Sequence, residues 1–363
     1  VREPFPPSGG RGWFCTGDRR TFRRPGIVGL ASPGGVILAP FGAGEMDLPE
    51  TKAQPDFSAA ENGLSKRRPM FFSPAVREPV PRQNLRLAEI DLPAAKKCEK
   101  GKEWQGVYQT IKWEGEERVA WIRLNRPEKM NAMNGTMQAE LMEAIKRTKR
   151  DEKFRCLVIT GEGRAFCSGA DLTEMGKDLD YGEILRTAYN PLILELQSLE
   201  IPVIAAVNGA AAGAGFSLAL ACDLRVVHES ASFHQAFVHI GLIPDAGNLY
   251  FLPRMIGYAK AMELSLLGEA VSAEKAVELG LASRVIPAAS WEKEIRDFAE
   301  KVASLPTRAI ALMKHCLQKT FETPLPQMLE YEAAAQKAAG RMADHREGIR
   351  AFLEKRKARF SGR

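Results

Sequence analysis

Two runs of small residues constrain this chain more than anything else in it. Residues 163–171 (GRAFCSGAD) and 208–217 (NGAAAGAGFS) each follow a short apolar, β-branched run and lead towards a helix. A strand that ends in such a turn and gives way to a helix belongs to layered α/β architecture, not to a helical bundle. Helix starts leave backbone N–H groups without intrahelical partners, and those groups bind developing negative charge. Small side chains let a ligand come close to that backbone. Two such turns can offer two N–H donors to one oxygen and stabilise an enolate-like state by about 3 kcal/mol per donor. The structural alternative for each turn alone is an ordinary tight β–α connection. A third stretch, 233–247 (FHQAFVHIGLIPDAG), is the segment on which both turns must converge.

The rest of the chain supports layers. VYQTIKW and RVAWIRL flank the polar turn EGEE and read as a hairpin. The spacing of Met137, Leu141, Met142 and Ile145 predicts an amphipathic helix over 137–150. Residues 156–160 (CLVIT), 202–207 (PVIAAV) and 221–227 read as strands, and 181–199 reads as a helix. From Gly257 onward the pattern is helical, with SAEKAVELGL and SWEKEIRDFAEKVASL each opening on an N-cap serine followed by glutamate. The expected division is an extension over 1–104, an α/β core over 105–287 and a helical region over 288–363.

Composition separates the extension from the body. Of 22 prolines, 13 fall in residues 1–104, where Lys+Arg exceed Asp+Glu by 17 to 12; the remainder is near balance at 34 to 33. The basic charge therefore characterises the front segment, and the body carries no nucleic-acid signature. Residues 1–104 show no period of two or 3.6 and are expected to be disordered. Their arginines would suit a transit peptide, but dense prolines and the acidic Glu3 and Asp18 fit an amphipathic targeting helix poorly, so the localisation expected is cytoplasmic. Met46 and Met70 are candidate later starts. No apolar run approaches the ~20 residues of a membrane span. Six cysteines without a C-x-x-C pair and five histidines without H-x-x-x-H give no metal spacing, and no disulfide framework is expected.

Taken in order, NRPEKMNAM (125–133), AFCSGADL (165–172), PVIAAVNGAAAGAGFSLALACD (202–223), IGLIPDAG (240–247), LPRMIG (252–257) and EGIRAFLEKRKARF (347–360) resemble the crotonase superfamily, the enoyl-CoA hydratase/isomerase family. The resemblance covers about 105–363. It implies a ββα spiral with a helical C-terminal trimerisation region, assembly as a trimer or dimer of trimers, an acyl-CoA thioester as substrate and no further cofactor. Carried over position by position, it implies oxyanion donors at the N–H groups of Ala170 and Ala214. Substrate would be lined by Ala165, Asp171, Leu172 and Phe237, and CoA reached by Phe352 and Lys355. Ala214 stands where many relatives have glycine, which is compatible provided its φ is negative. For Lys355 the alternative is a solvated helix end.

The resemblance also narrows the reaction. Hydration by the family route uses two glutamates. Their positions hold Ser217 and Phe237 here, while Asp245 stands where hydratases carry glycine. One carboxylate beside an enolate-stabilising hole suits double-bond isomerisation, which needs one base and no water, and apolar surroundings would raise its pKa. YNPLI (189–193), AAGAGFSLALACD and IGLIPDAG are most similar to the phenylacetate-pathway branch that isomerises a ring-epoxide and also shifts enoyl double bonds. Asn248 departs from the second glycine of that branch, and its side chain would either narrow the acyl pocket or add a hydrogen bond. Aryl-CoA dehalogenases use an aspartate at this place as nucleophile together with a histidine where this chain has Asn190. His234 and His239 are expected to face the sheet or cap. Two other readings stay open: a 2-enoyl-CoA hydratase working with Asp245 alone, and a non-catalytic acyl-CoA or protein-binding module.

Overall fold

The computed structural model describes residues 108–174 and 180–363, so the expectation of disorder over 1–104 lies outside the described residues. The body begins with the expected hairpin, β1 (Ile111–Glu116) and β2 (Val119–Leu124). Helix α1 (Gly135–Arg150) follows, and the Asn134 side chain accepts from the Met137 amide at its N-cap. Next come β3 (Cys156–Gly161), β4 (Ala165–Cys167), α2 (Tyr181–Ile184), a π turn over Leu185–Tyr189 and α3 (Asn190–Gln197). Then come β5 (Val203–Val207), β6 (Ala210–Ala212), α4 (Ala214–Ala221), β7 (Leu224–His228) and β8 (Ser232–His234). The chain continues through α5 (Asn248–Ile256), α6 (Tyr258–Leu267), β9 (Ala270–Ser272), α7 (Ala273–Glu278) and β10 (Arg284–Ile286). Four helices close it: α8 (Trp291–Ala303), α9 (Thr307–Lys319), α10 (Leu325–Ala339) and α11 (Ala343–Leu353).

The strands form two sheets, one of six in the order β1-β2-β3-β5-β7-β10 and one of four in the order β4-β6-β8-β9. Among the described residues, only the β1–β2 and β8–β9 pairs are antiparallel. Each long strand of the first sheet (β3, β5, β7) is followed at once by a three-residue strand of the second (β4, β6, β8), which makes the path a ββα spiral. The corners between them are made by glycine. A Cβ on Gly161 would lie 2.2 Å from the Ala165 carbonyl oxygen, and one on Gly209 would lie 2.1 Å from that of Arg164. Asparagine side chains stitch successive corners together. Asn131 Nδ2 donates to the carbonyls of Glu162 (2.9 Å) and Ala165 (2.8 Å); Asn208 accepts from Gly161 N (2.9 Å) and donates to the Gly163 carbonyl (2.9 Å).

The central strands β3 and β5 of the six-stranded sheet are buried on both faces, which explains why they read as unbroken apolar runs. In β3, Leu157 and Ile159 point into the main core with α1, α3 and α4, while Cys156 and Val158 point to a second core under α8. The second core takes Ile295, Ala299, Val302 and Ala303 from α8. Its removal from water contributes roughly 25 cal/mol per Å² of apolar surface.

Three details differ from the sequence reading. The helix expected over 181–199 is broken in register by the π turn at Leu185–Tyr189 and ends at Gln197. The strand expected over 221–227 begins only at Leu224, because the apolar run before it completes α4. Ser272 caps α7 by accepting from Lys275 N at 3.2 Å, but Ser290 makes no side-chain cap, since a 3-10 turn over Ala288–Ser290 already feeds α8.

Candidate active site

The site forms where β4 and β6 leave the small sheet side by side. After β4 the backbone is held from the other flank by the 125–133 loop. Ser168 N donates to the Met130 carbonyl, Met133 N to that of Gly169 (2.7 Å), and Asp171 N to that of Met133 (2.9 Å). Met130 and Asn131 take left-handed backbone (φ 50° and 56°) to make this approach. Consecutive amides of an extended segment point to opposite sides. With Asp171 N turned to the loop, Ala170 N faces away from it, and it has no protein acceptor among the described residues.

The second turn is built at the start of α4. Gly213 is its N-cap (φ 51°, ψ −126°), and Ala214 is its first residue, with negative φ. Alanine is therefore unstrained there. The Ala214 amide is a helix-start N–H with no protein acceptor among the described residues. The two turns touch: a Cβ on Gly169 would lie 3.0 Å from the Ala212 carbonyl oxygen and 3.5 Å from Ala214 N. Gly169 itself sits at φ 103°. Two open amides thus stand on adjoining turns, an arrangement compatible with binding one oxyanion. Phe237 borders it, its ring tip 3.9 Å from where a Cβ of Gly213 would stand, and is itself buried.

Asp245 lies on the loop between the 3-10 turn Ala236–Ile240 and α5. Its carbonyl accepts from Asn248 N (2.9 Å), and Ala246 (φ 49°) and Gly247 (φ 83°) are both left-handed, a strained pair for a non-glycine. Its Oδ1 is buried without a hydrogen-bond partner, and burial pushes the carboxyl up to about 6. A carboxylate ionised at neutral pH, yet close to its own pKa, can both take and return a proton. Buried Tyr189, in the π turn, is within electrostatic range of Asp245, and burial raises its phenol well above the usual value.

The other predicted positions are distributed unevenly. Ala165 is buried in β4, behind the site, and Leu172 is about half exposed after the first turn. Asp171 has its carboxylate turned away to structural partners: Thr173 Oγ1 (2.6 Å) and N (3.1 Å) on Oδ1, and Arg126 Nη2 (2.8 Å) on Oδ2. The Thr173 hydroxyl, then Arg126, holds its pKa down at about 2. Phe352 lies in the last turn of α11 at 83% exposure, and Lys355 beyond the helix is in left-handed backbone. His234 bonds Ser232 within β8, and His239 reaches the Gly268 carbonyl at the end of α6.

Of the two roles expected for the Asn248 side chain, the structure shows the hydrogen bond: it is fully buried, accepts from Gln235 Nε2 (2.7 Å) and donates to Ser217 Oγ (3.3 Å). Arg225, also buried, closes the far end of α4, donating to the carbonyls of Ala219 (3.4 Å), Leu220 (3.5 Å), Cys222 (2.6 Å) and Leu281 (2.5 Å). A cation there complements the helix dipole whose positive end carries the Ala214 amide. Asn248 is marked in the sequence by its departure from the branch's second glycine, whereas the signal for Arg225 is no more than a charged residue beside an apolar stretch.

Known proteins resemble this chain in sequence and fold. Residues 114–363 match the family model described as enoyl-CoA hydratase/isomerase. A protein of Rhodobacter capsulatus described as a probable enoyl-CoA hydratase is 45% identical over 257 residues, 70% of this chain and 99% of its own length. The 1,2-epoxyphenylacetyl-CoA isomerase of Escherichia coli is 42% identical over 253 residues, 68% of this chain and 97% of its own. The solved structure of an enoyl-CoA hydratase/isomerase from Cupriavidus metallidurans superposes with a TM-score of 0.67 at 34% identity, covering 71% of this chain and 98% of that one. With its spiral of paired sheets and two facing glycine turns, the chain belongs to the enoyl-CoA hydratase/isomerase family.

Proposed function

We propose that the protein isomerises an acyl-CoA thioester, moving a double bond or opening a ring-epoxide, with Asp245 as the single acid/base. The thioester oxygen would lie between the N–H groups of Ala170 and Ala214. For a 3-enoyl ester, Asp245 takes a proton from C2, the electron pair moves into a dienolate held by the two amides, and the same carboxyl returns the proton at C4. No water enters, and no atom is gained or lost.

The observation that carries this reading is the buried, unpartnered Oδ1 of Asp245, with its pKa raised to about 6. It is supported by what occupies the two positions where the resemblance expects hydratase glutamates. Ser217 is fully buried in α4 and Phe237 is buried beside the turns, so neither can activate water. The ring-epoxide branch of the reading draws on the isomerase of Escherichia coli. Hydration of a 2-enoyl ester by Asp245 alone is the rival reading, favoured by the Rhodobacter relative.

Self-association belongs to the same proposal. Leu194, Tyr250, Met313 and Leu317 leave an apolar groove between α3, α5 and α9, and exposed Phe352 with Lys355 would meet CoA bound by a neighbouring subunit. Light scattering tests for a trimer or its dimer.

The deciding assay offers 3-enoyl-CoA and 2-enoyl-CoA separately in deuterated water. Conversion of the first to the 2-enoyl ester without a 3-hydroxyacyl product supports isomerisation. Water addition to the second would replace it with hydration. Tight ester binding with turnover of neither these nor a ring-epoxide substrate would leave a binding module.

A further inference from the structure

The position that resemblance assigns to a glutamate is filled here by one member of a buried hydrogen-bond chain, and that chain ends on the peptide group of the site. Gln235 Nε2 donates to Asn248 Oδ1 (2.7 Å), Asn248 Nδ2 to Ser217 Oγ (3.3 Å), and Ser217 Oγ to the Gly213 carbonyl (3.2 Å). Every donor points the same way along the chain. All three side chains are at most 1% exposed, so water does not compete for them. The Gly213 carbonyl also accepts the Ser217 amide at 3.0 Å, and so receives two bonds.

The Gly213 carbonyl and the Ala214 N–H are the two ends of one planar peptide group. Fixing the carbonyl fixes the direction of the N–H, and drawing electron density towards the carbonyl makes the N–H a stronger donor. Hydrogen bonds in series polarise one another by roughly 10–30% per bond, more so where the surroundings are dry. We infer that Ser217, Asn248 and Gln235 are positioning residues that aim and polarise the Ala214 amide, so that this chain strengthens its electrophile at the place where a hydratase would hold a base. The inference rests on the Ala214 amide being an oxyanion donor. It extends that reading by assigning Asn248, the departure from the branch's glycine, to the electronics of the thioester carbonyl rather than to the shape of the acyl pocket.

The test reads the carbonyl directly. Cinnamoyl-CoA, whose double bond is locked by conjugation to its ring, is labelled with 13C at the thioester carbon, and its stretch is followed by infrared difference spectroscopy when bound to the full chain. In the wild type the band moves to lower frequency than in water. In Ser217→Ala and in Asn248→Gly that displacement shrinks by about a tenth to a third. For a turned-over ester kcat falls roughly 3- to 10-fold while KM stays within about twofold. Cys222→Ala, at the other end of α4 and outside the chain, loosens packing without altering the displacement. Asn248→Gly leaves α4 untouched and serves alone if Ser217→Ala does not fold. An unchanged displacement in both variants overturns the inference and leaves the oxyanion reading standing, as does an equal loss in Cys222→Ala. No displacement in the wild type removes the Ala214 donor, and both readings fall together.

Discussion

Gly169 and Ala214, on different turns of the spiral, approach so closely that a methyl group on the first would stand 3.5 Å from the amide nitrogen of the second and 3.0 Å from the carbonyl of Ala212. The opening between the two free amides is therefore set by one missing side chain. Gly169→Ala is expected to push the turns apart and to force alanine into φ 103°, costing about 1–3 kcal/mol of stability. Loss of donor alignment should lower kcat by about 10²-fold or more. Steady-state kinetics beside a urea melt separates the two effects; near-normal kcat in a destabilised variant would show that the opening tolerates change.

Asp245→Asn keeps the shape and removes the proton acceptor. Turnover should fall by at least about 10³-fold, with affinity for a CoA ester changed less than about threefold. In the wild type, log kcat/KM should fall with unit slope as pH drops through the raised pKa of about 6, because the protonated form cannot accept the C2 proton. A flat profile between about pH 5 and 7 would remove Asp245 from the rate-limiting proton transfer.

The same burial has a thermodynamic signature. Asp245 ionises near 3.8 in an unfolded chain and near 6 when folded. Between those values the folded state holds the extra proton, so stability from this group is greatest at the acid end and declines as pH rises through about 6. The full linkage is about 3 kcal/mol; partial access to solvent reduces it to about 1–2 kcal/mol. Asp245→Asn should therefore be more stable than the wild type at pH 7.5 and indistinguishable from it near pH 4. Equal differences at both values would mean that the carboxyl is well solvated.

Arg225 holds three carbonyls at the closing end of α4 and that of Leu281 after α7. Arg225→Met keeps much of the volume and leaves those oxygens in a dry place, which should cost about 2–4 kcal/mol by chemical denaturation. A loss below about 0.5 kcal/mol would show that water replaces the guanidinium.

Much of this protein can be read from its residues, though not uniformly. The hairpin, α1, β3 and β5 declare themselves because each is long enough to show a period or a buried run. The strands of the small sheet do not, since β4, β6, β8 and β9 are three residues each and two of them lie inside the glycine-rich turns. The turns and Asp245 stand out in the sequence as candidate chemistry, because backbone amides and a lone carboxylate keep their character in any local structure. Asp171 looked equally available and is not, because its partners Arg126 and Thr173 are brought to it only by the fold. Ser217 and Asn248 stand out in the sequence as departures from the family pattern, but their connection to each other and to Gln235 appears only when burial joins them.

The two amides and the carboxylate stand on parts of different kinds. Ala170 and Ala214 sit just after β4 and β6, tied to the small sheet, while Asp245 rides a loop of strained backbone that leaves the layers after β8 and rejoins them at α5. An accident in that loop need not disturb the sheets, and an accident in the sheets cannot spare the amides. On the proposed assignment, a lineage built on such a plan can exchange its base, and with it its reaction, by altering one loop while inheriting its electrophile intact.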